Sequence, residues 1–150
     1  MKKIKIAIGA DHRGFLLKEF LMKQSREFVR WIDCGAFTEE NSNYPVFAHA
    51  VCEKILRGEA DMGVLLCGTG AGMAMAANRK PGIYAAVAWE GIIARRVRQE
   101  DFCNVLVLPA DYLDEERVVD VVSEWRCAHL KNSERYALRR AMIDDEKMGE

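Results

Sequence analysis

The amino-acid sequence predicts an α/β fold: a three-layer α/β/α sandwich around a five-stranded, parallel, Rossmann-like sheet, with an extra helix at the C-terminus. Three observations carry this. Apolar runs of strand length alternate with stretches of helical spacing along the chain. Met62–Cys67 (MGVLLC) is apolar throughout, as a strand covered on both faces must be. Glycine or proline punctuates most changes of pattern. Parallel strands need helical crossovers, so the alternation itself selects a doubly wound sheet. With 150 residues and no repeat, low-complexity tract or linker, residues 1–150 make one domain.

The elements follow in order. Lys3–Gly9 is β-branched and stops at Gly-Ala-Asp; Phe15, Leu16, Phe20 and Leu21 then fall at helical spacing up to Lys23. Phe28–Asp33 reads as a second strand, and Ala36–Tyr44 is polar and turn-rich. Pro45 opens a helix to about Leu56, because proline suits a first helical turn. After strand three, Gly68-Thr69-Gly70-Ala71-Gly72 turns the chain into a small-residue helix, MAMAANR, which Pro81-Gly82 stops. Tyr84–Val87 is strand four, Gly91–Arg98 a helix, and Val105–Leu108 strand five. Glu115–Trp125 and Ser133–Lys147 complete the helices.

Composition excludes several function classes. Lys plus Arg number 22 against 23 acidic residues, a net charge of −1, so neither nucleic acid nor an anionic membrane surface is the expected partner. No apolar run approaches the roughly 18 residues of a membrane span. The apolar stretch after Lys2-Lys3 is too short for a signal-peptide core, so a cytoplasmic location is expected. The five cysteines lie far apart with no CxxC, which points away from a disulfide framework or a zinc site. They read as buried free thiols, with Cys67 the exception. Trp31, Trp89 and Trp125 and the methionines, Met73 and Met75 included, read as packing residues.

Ligands of such sheets bind at the carboxyl ends of the strands, where strand order reverses. Two of these ends carry unusual residues: Asp11-His12 after strand one and CGTGAG after strand three. The glycine loop lacks the Gly-Lys-Ser/Thr of a nucleotide phosphate loop, and its third glycine arrives one residue early for GxGxxG. Read chemically, it offers a thiol facing a helix N-terminus, whose dipole and backbone donors favour the thiolate. Thr69 adds a hydroxyl that donates and accepts, and the loop N–H groups can cradle an oxyanion. Base, hydroxyl and cradle together suit proton abstraction beside a carbonyl. By themselves, His12 reads as a turn residue whose tautomer Asp11 helps to hold, and Arg135 and Arg139 as a solvated basic helix face.

The chain resembles the ribose-5-phosphate isomerase B and galactose-6-phosphate isomerase family almost end to end. The matching pieces are GADHRGFLLKEFL, Asn43-Tyr44-Pro45, GEADMGVLLCGTGAGMAMAANRKPGIYAAV, Asn104-Val105-Leu106 and the pair Arg135 and Arg139. The resemblance implies an aldose–ketose isomerase without metal or cofactor, working through an enediolate on ribose 5-phosphate and ribulose 5-phosphate. Cys67 would move the proton between C1 and C2, and Thr69 the proton between the oxygens. Gly68, Gly70, Ala71 and Gly72 would hold the enediolate, Asp11 the sugar hydroxyls, and Tyr44 would line the pocket. His12, Arg135 and Arg139 would bind the phosphate. The resemblance also implies a homodimer or tetramer, with each site shared across the dimer interface.

Two positions depart from the family pattern. Where most members carry His-Asn before strand five, the histidine being assigned to ring opening, this chain has Glu100-Asp101. Where many have Gly-Arg after strand five, it has Ala110-Asp111. Glu100 and Asp101 are therefore candidate substrate contacts of altered chemistry, and Asp111 either points elsewhere or marks a different substrate. The alternatives are an isomerase of a tetrose 4-phosphate or hexose 6-phosphate, or a sugar-phosphate-binding partner subunit with little activity alone.

Overall fold

In the computed structural model, which describes residues 2–149, the strands are β1 (Ile4–Ala10), β2 (Val29–Asp33), β3 (Met62–Cys67), β4 (Ala85–Val87) and β5 (Val105–Pro109). The helices are α1 (Phe15–Gln24), α2 (Tyr44–Leu56), α3 (Ala71–Ala77), α4 (Gly91–Asp101), α5 (Glu115–Cys127) and α6 (Glu134–Asp144). The strand pairings are all parallel, in the order β2-β1-β3-β5-β4. The chain builds β2 outward from β1 and returns to lay β3 on β1's other side. It then leaves a gap beside β3 that β5 fills last. The carboxyl ends of β1, β3 and β5 consequently open side by side at the middle of the sheet.

Strand residues alternate between two cores, as a pleated sheet requires. Ile6, Ile8, Val64, Leu66, Leu106 and Leu108 face α1, α4 and α5, where Trp125 is fully buried and donates from Nε1 to the Cys103 carbonyl at 3.1 Å. Ala7, Leu65, Cys67, Val105 and Val107 face α2 and α3. Cys67 thus belongs by register to the α3 side, over the N-terminus of the helix its own loop starts.

Several boundaries differ from expectation for local reasons. α3 begins at Ala71 because Gly70 turns the chain with φ +81°, a conformation open to glycine. It ends at Ala77 because the Asn78 amide pairs with the Ala85 backbone, with Nδ2 donating at 2.8 Å and Oδ1 accepting at 2.8 Å. α4 runs past Arg98 to Asp101, helped by the i, i+4 pair of Arg96 and Glu100. α6 stops at Asp144, short of Lys147, where successive acidic residues meet the negative end of the helix dipole. Met75 and Trp89 are exposed at 67% and 47% rather than packed in the core. Cys127 is exposed and Cys34 half-buried, so not every cysteine outside the site is a core thiol.

α6 differs from the other helices. It has no buried residue, it lies chiefly against α4 apart from the turn that follows it, and Leu138 and Ile143 are exposed.

Candidate active site

The site is built where β1, β3 and β5 end. Cys67 closes β3 and is buried at 5% exposure. Gly68 and Gly70 are buried behind it, while Thr69 stands in solvent with its Oγ1 accepting from the Ala71 N–H at 3.3 Å. A Cβ on Gly72 would lie 2.5 Å from Cζ of Tyr44, so the Tyr44 ring packs directly on the loop.

Burial pushes the Cys67 thiol above its ordinary pKa. The backbone N–H groups of Met73 and Gly70 oppose that shift, while the carboxylates of Asp11 and Asp111 add to it. The expectation of a favoured thiolate is corrected on this point. The backbone donors are present, but desolvation outweighs them and the free site holds a thiol at neutral pH.

At the end of β1, Asp11 is buried, and its Oδ1 accepts from the N–H groups of Arg13 (3.0 Å) and Gly14 (3.2 Å). This fixes the carboxylate by the turn that leads into α1. The His12 tautomer is held by Ser42 rather than by Asp11: the His12 N–H donates to Ser42 Oγ at 3.1 Å, and the Ser42 N–H donates to His12 Nδ1 at 3.2 Å. Nδ1 is therefore an acceptor and Nε2 carries the proton, leaving a donor for a ligand.

Three parts of this site have no local signal in the sequence. Ser42 lay inside a stretch read as polar turn. Arg13 lies in the turn after β1, where the resemblance implies no role for it. Its guanidinium lies over Gly68, where an added Cβ would come within 2.9 Å of Cζ, and pairs with Asp111. Asp111, flagged as a departure, therefore points into the site, and its N–H donates to the Gly68 carbonyl at 3.1 Å. The third part is a brace: fully buried Lys18 donates to Asp33 Oδ1 at 2.7 Å, and that same oxygen accepts from the Gly35 N–H at 2.9 Å. Gly35 and Ala36 then bond both sides of Ala10 at 2.8 and 2.7 Å, next to Asp11.

Within one chain the remaining candidates do not join this group. Glu100 and Asp101 end α4, which runs back from the end of β4 toward the start of β5, the opposite edge of the sheet from Cys67. Glu100 is bound by Lys131 at 2.8 Å and by Arg96 at 3.1 Å, which pull its pKa down to about 2. It is ionised throughout the neutral range and has no proton to give. Asp101 borders a cleft of about 630 Å³ shared with Arg79, Tyr84 and Asp144. Arg135 and Arg139 are exposed on α6, with Arg135 over the Tyr136 ring at 5.3 Å. Among the described residues no group of His, Cys, Asp and Glu is placed to hold a metal ion, and no helix is long and apolar enough to cross a membrane.

Known proteins resemble this chain in sequence and fold. A family model described as Ribose/Galactose Isomerase matches residues 6–143. Ribose-5-phosphate isomerase B of Escherichia coli is 38% identical over 122 residues, which is 81% of this chain and 82% of that protein. The crystal structure of a ribose 5-phosphate isomerase from Thermotoga maritima superposes with a TM-score of 0.93 at 37% identity, covering 96% of this chain and 99% of that one. Ribose-5-phosphate isomerase B of Mycoplasma genitalium, solved with bound ribulose-5-phosphate, gives a TM-score of 0.89 at 29% identity over 98% of each chain.

Proposed function

This chain belongs to the ribose/galactose isomerase family, and from that premise we propose that it is a sugar-phosphate isomerase interconverting ribose 5-phosphate and ribulose 5-phosphate, with Cys67 as the base. The observation that carries the reading is the buried Cys67 thiol beside the Thr69 hydroxyl and a glycine loop at the start of α3. The Cys67 thiolate takes the proton from C2 of the open-chain aldose, and the electrons of that C–H bond form the C1–C2 double bond of an enediolate. Loop N–H groups from Gly68 to Gly72 hold the charge on oxygen, Thr69 carries a proton between O1 and O2, and Cys67 returns its proton to C1. Burial that raises the thiol's pKa also makes the thiolate a stronger base toward a weakly acidic C–H. Asp11 binds sugar hydroxyls, Tyr44 walls the pocket, and His12 Nε2 donates to the phosphate.

The test is proton NMR of the protein with ribose 5-phosphate in D2O. Deuterium is expected at C2 of the recovered aldose, because the abstracted proton exchanges with solvent. Erythrose 4-phosphate and allose 6-phosphate run in parallel, since one observation favours a second reading. Glu100 is ionised and cannot serve as the acid that opens a furanose ring. A tetrose 4-phosphate, its O4 esterified, forms no furanose, and exchange with the tetrose alone would replace the pentose as substrate. Silence from all three with phosphate binding intact would favour a partner subunit without activity of its own.

The complete site is proposed to need a second copy of the chain. Its support is that Arg135, Arg139, Glu100 and Asp101 lie away from Cys67, on elements that present exposed apolar side chains such as Leu138 and Ile143. Arg139→Ala is then expected to raise KM for a phosphorylated substrate by about tenfold or more. Mixed with inactive Cys67→Ala, an inactive Arg139 variant such as Arg139→Glu should regain up to about a quarter of wild-type turnover, because half the dimers are mixed and each restores one site. No recovery after subunit exchange would place each site within one chain.

A further inference from the structure

We propose that the Arg13–Asp111 ion pair is a displaceable cover on the glycine loop: Asp111 stands where an anionic group of the substrate binds, and the substrate takes Arg13 from it. The inference rests on the reading of the loop as the substrate site, and it concerns two residues to which the family resemblance gives no such role.

Both partners grip the same residue. The Arg13 guanidinium lies across Gly68, close enough that any side chain there would displace it, and Asp111 holds the Gly68 carbonyl through its own N–H. The pair thereby joins the end of β1 to the turn after β5 directly over the start of the loop. It is also open to water, with the Arg13 side chain 55% and the Asp111 side chain 29% exposed. An exposed ion pair adds little to stability and breaks readily. Asp111 engages Nη2, which belongs to both bidentate edges of the guanidinium, with Nε side-on and with Nη1 end-on, so an oxyanion takes either fork only by displacing the carboxylate. The carboxylate is the natural competitor for that fork, because carboxylate and phosphate each offer two oxygens that accept side by side from a guanidinium.

The charge balance of the loop gives the arrangement a consequence. Asp11 and Asp111 both make the neighbourhood of Cys67 more negative, which opposes a bound phosphate and an enediolate alike. Arg13 is the countercharge that the fold holds at the same spot. Removing Arg13 and removing the charge of Asp111 must therefore act on anion binding in opposite directions. A structural brace predicts otherwise: either change would loosen the loop, and both would weaken binding.

Isothermal titration of the full chain with inorganic phosphate separates the two. Arg13→Ala is expected to weaken phosphate binding by about tenfold or more, the loss of a charge-assisted contact. Asp111→Asn should tighten it several-fold, roughly what relief of one like charge about 4 Å away gives at the dielectric of bulk water, as suits a pair open to solvent. Arg13→Lys keeps the charge without the fork and should fall between wild type and Arg13→Ala. KM for the sugar phosphate should follow the same order. Weakening by both Arg13→Ala and Asp111→Asn, or no change with either, would overturn the proposal. Opposite shifts in a protein that isomerises no sugar phosphate would leave the pair standing and unseat the isomerase reading. Normal turnover with unshifted phosphate binding would do the reverse.

Discussion

Cys67→Ala removes turnover by about 10²–10⁴-fold, the usual worth of a positioned general base, while phosphate binding stays within about a factor of two. The split follows from where the side chain sits. Cys67 is at the end of the central strand, and in the proposed arrangement its sulfur faces the reacting carbons while the phosphate contacts come from His12 and the arginines. Cys67→Ser, which keeps the shape, should be almost as slow, because a serine hydroxyl is a far weaker acid than a thiol and supplies almost no anion at neutral pH. Deuterium exchange at C2 is the direct readout, and unchanged exchange in Cys67→Ala would remove this residue as the base.

The direction of the Cys67 shift sets the pH profile. The thiol titrates above its ordinary value, so the reactive thiolate is a minority at pH 7 and grows about tenfold per unit as pH rises. kcat/KM of the wild type should climb through pH 8 and 9 in parallel, whereas Cys67→Ala should lose that climb. Stability runs the other way over a neighbouring range. Burial raises Cys52 and Cys103 to about 11 from an ordinary 9.0. Their unfolded forms ionise first, so the stability present below pH 9 falls as pH moves through 9 toward 11. Rates are therefore best compared between pH 7 and 9, where ionisation of each unfolded thiol costs the fold less than about 0.5 kcal/mol.

The strands were legible because each is short, apolar and set off by turns, and the loop was legible because its residues are contiguous. Contiguity is also the boundary of what a sequence displays. The order of the strands depends on β5 entering between β3 and β4, a choice made by packing on α4 and α5 and invisible in any local pattern. Arg13 and Asp111 are 98 residues apart, so neither announces the other. Ser42 holds His12 across 30 residues through one backbone and one side-chain bond, from inside a segment with no pattern at all. The net pKa of Cys67 is hidden from the sequence for a related reason. The helix start that favours a thiolate can be read from Gly70 and the small residues after it, but the burial that opposes it belongs to the assembled core.

Asp33→Ala is expected to destabilise the protein by about 3–5 kcal/mol, and Lys18→Met by less, about 1–3 kcal/mol, although the two residues form one pair. The asymmetry comes from burial. Lys18 is wholly inside, 5.6 Å from the Phe15 ring centre and 5.4 Å from that of Phe37, with only partly exposed Glu19 at 3.3 Å as a second partner. Without Asp33 its charge is left in an apolar shell. Asp33 keeps 24% exposure and still accepts from the Gly35 N–H, so loss of the lysine leaves a carboxylate that water can reach, and methionine fills the space of the stem. Denaturant midpoints of both variants measure this, with Arg57→Ala as the surface comparison. Its 3.8 Å contact with Glu53 joins two well-exposed side chains and should be worth no more than about 0.5 kcal/mol. Equal losses for Asp33→Ala and Lys18→Met would mean that the cost lies in the missing contact and not in a stranded charge. The same brace reaches the site, since Asp33 fixes Gly35 and the Gly35-Ala36 corner clasps Ala10 beside Asp11. Asp33→Ala should therefore also raise KM in the fraction that remains folded, whereas Lys18→Met, which leaves Asp33 on Gly35, should disturb KM much less.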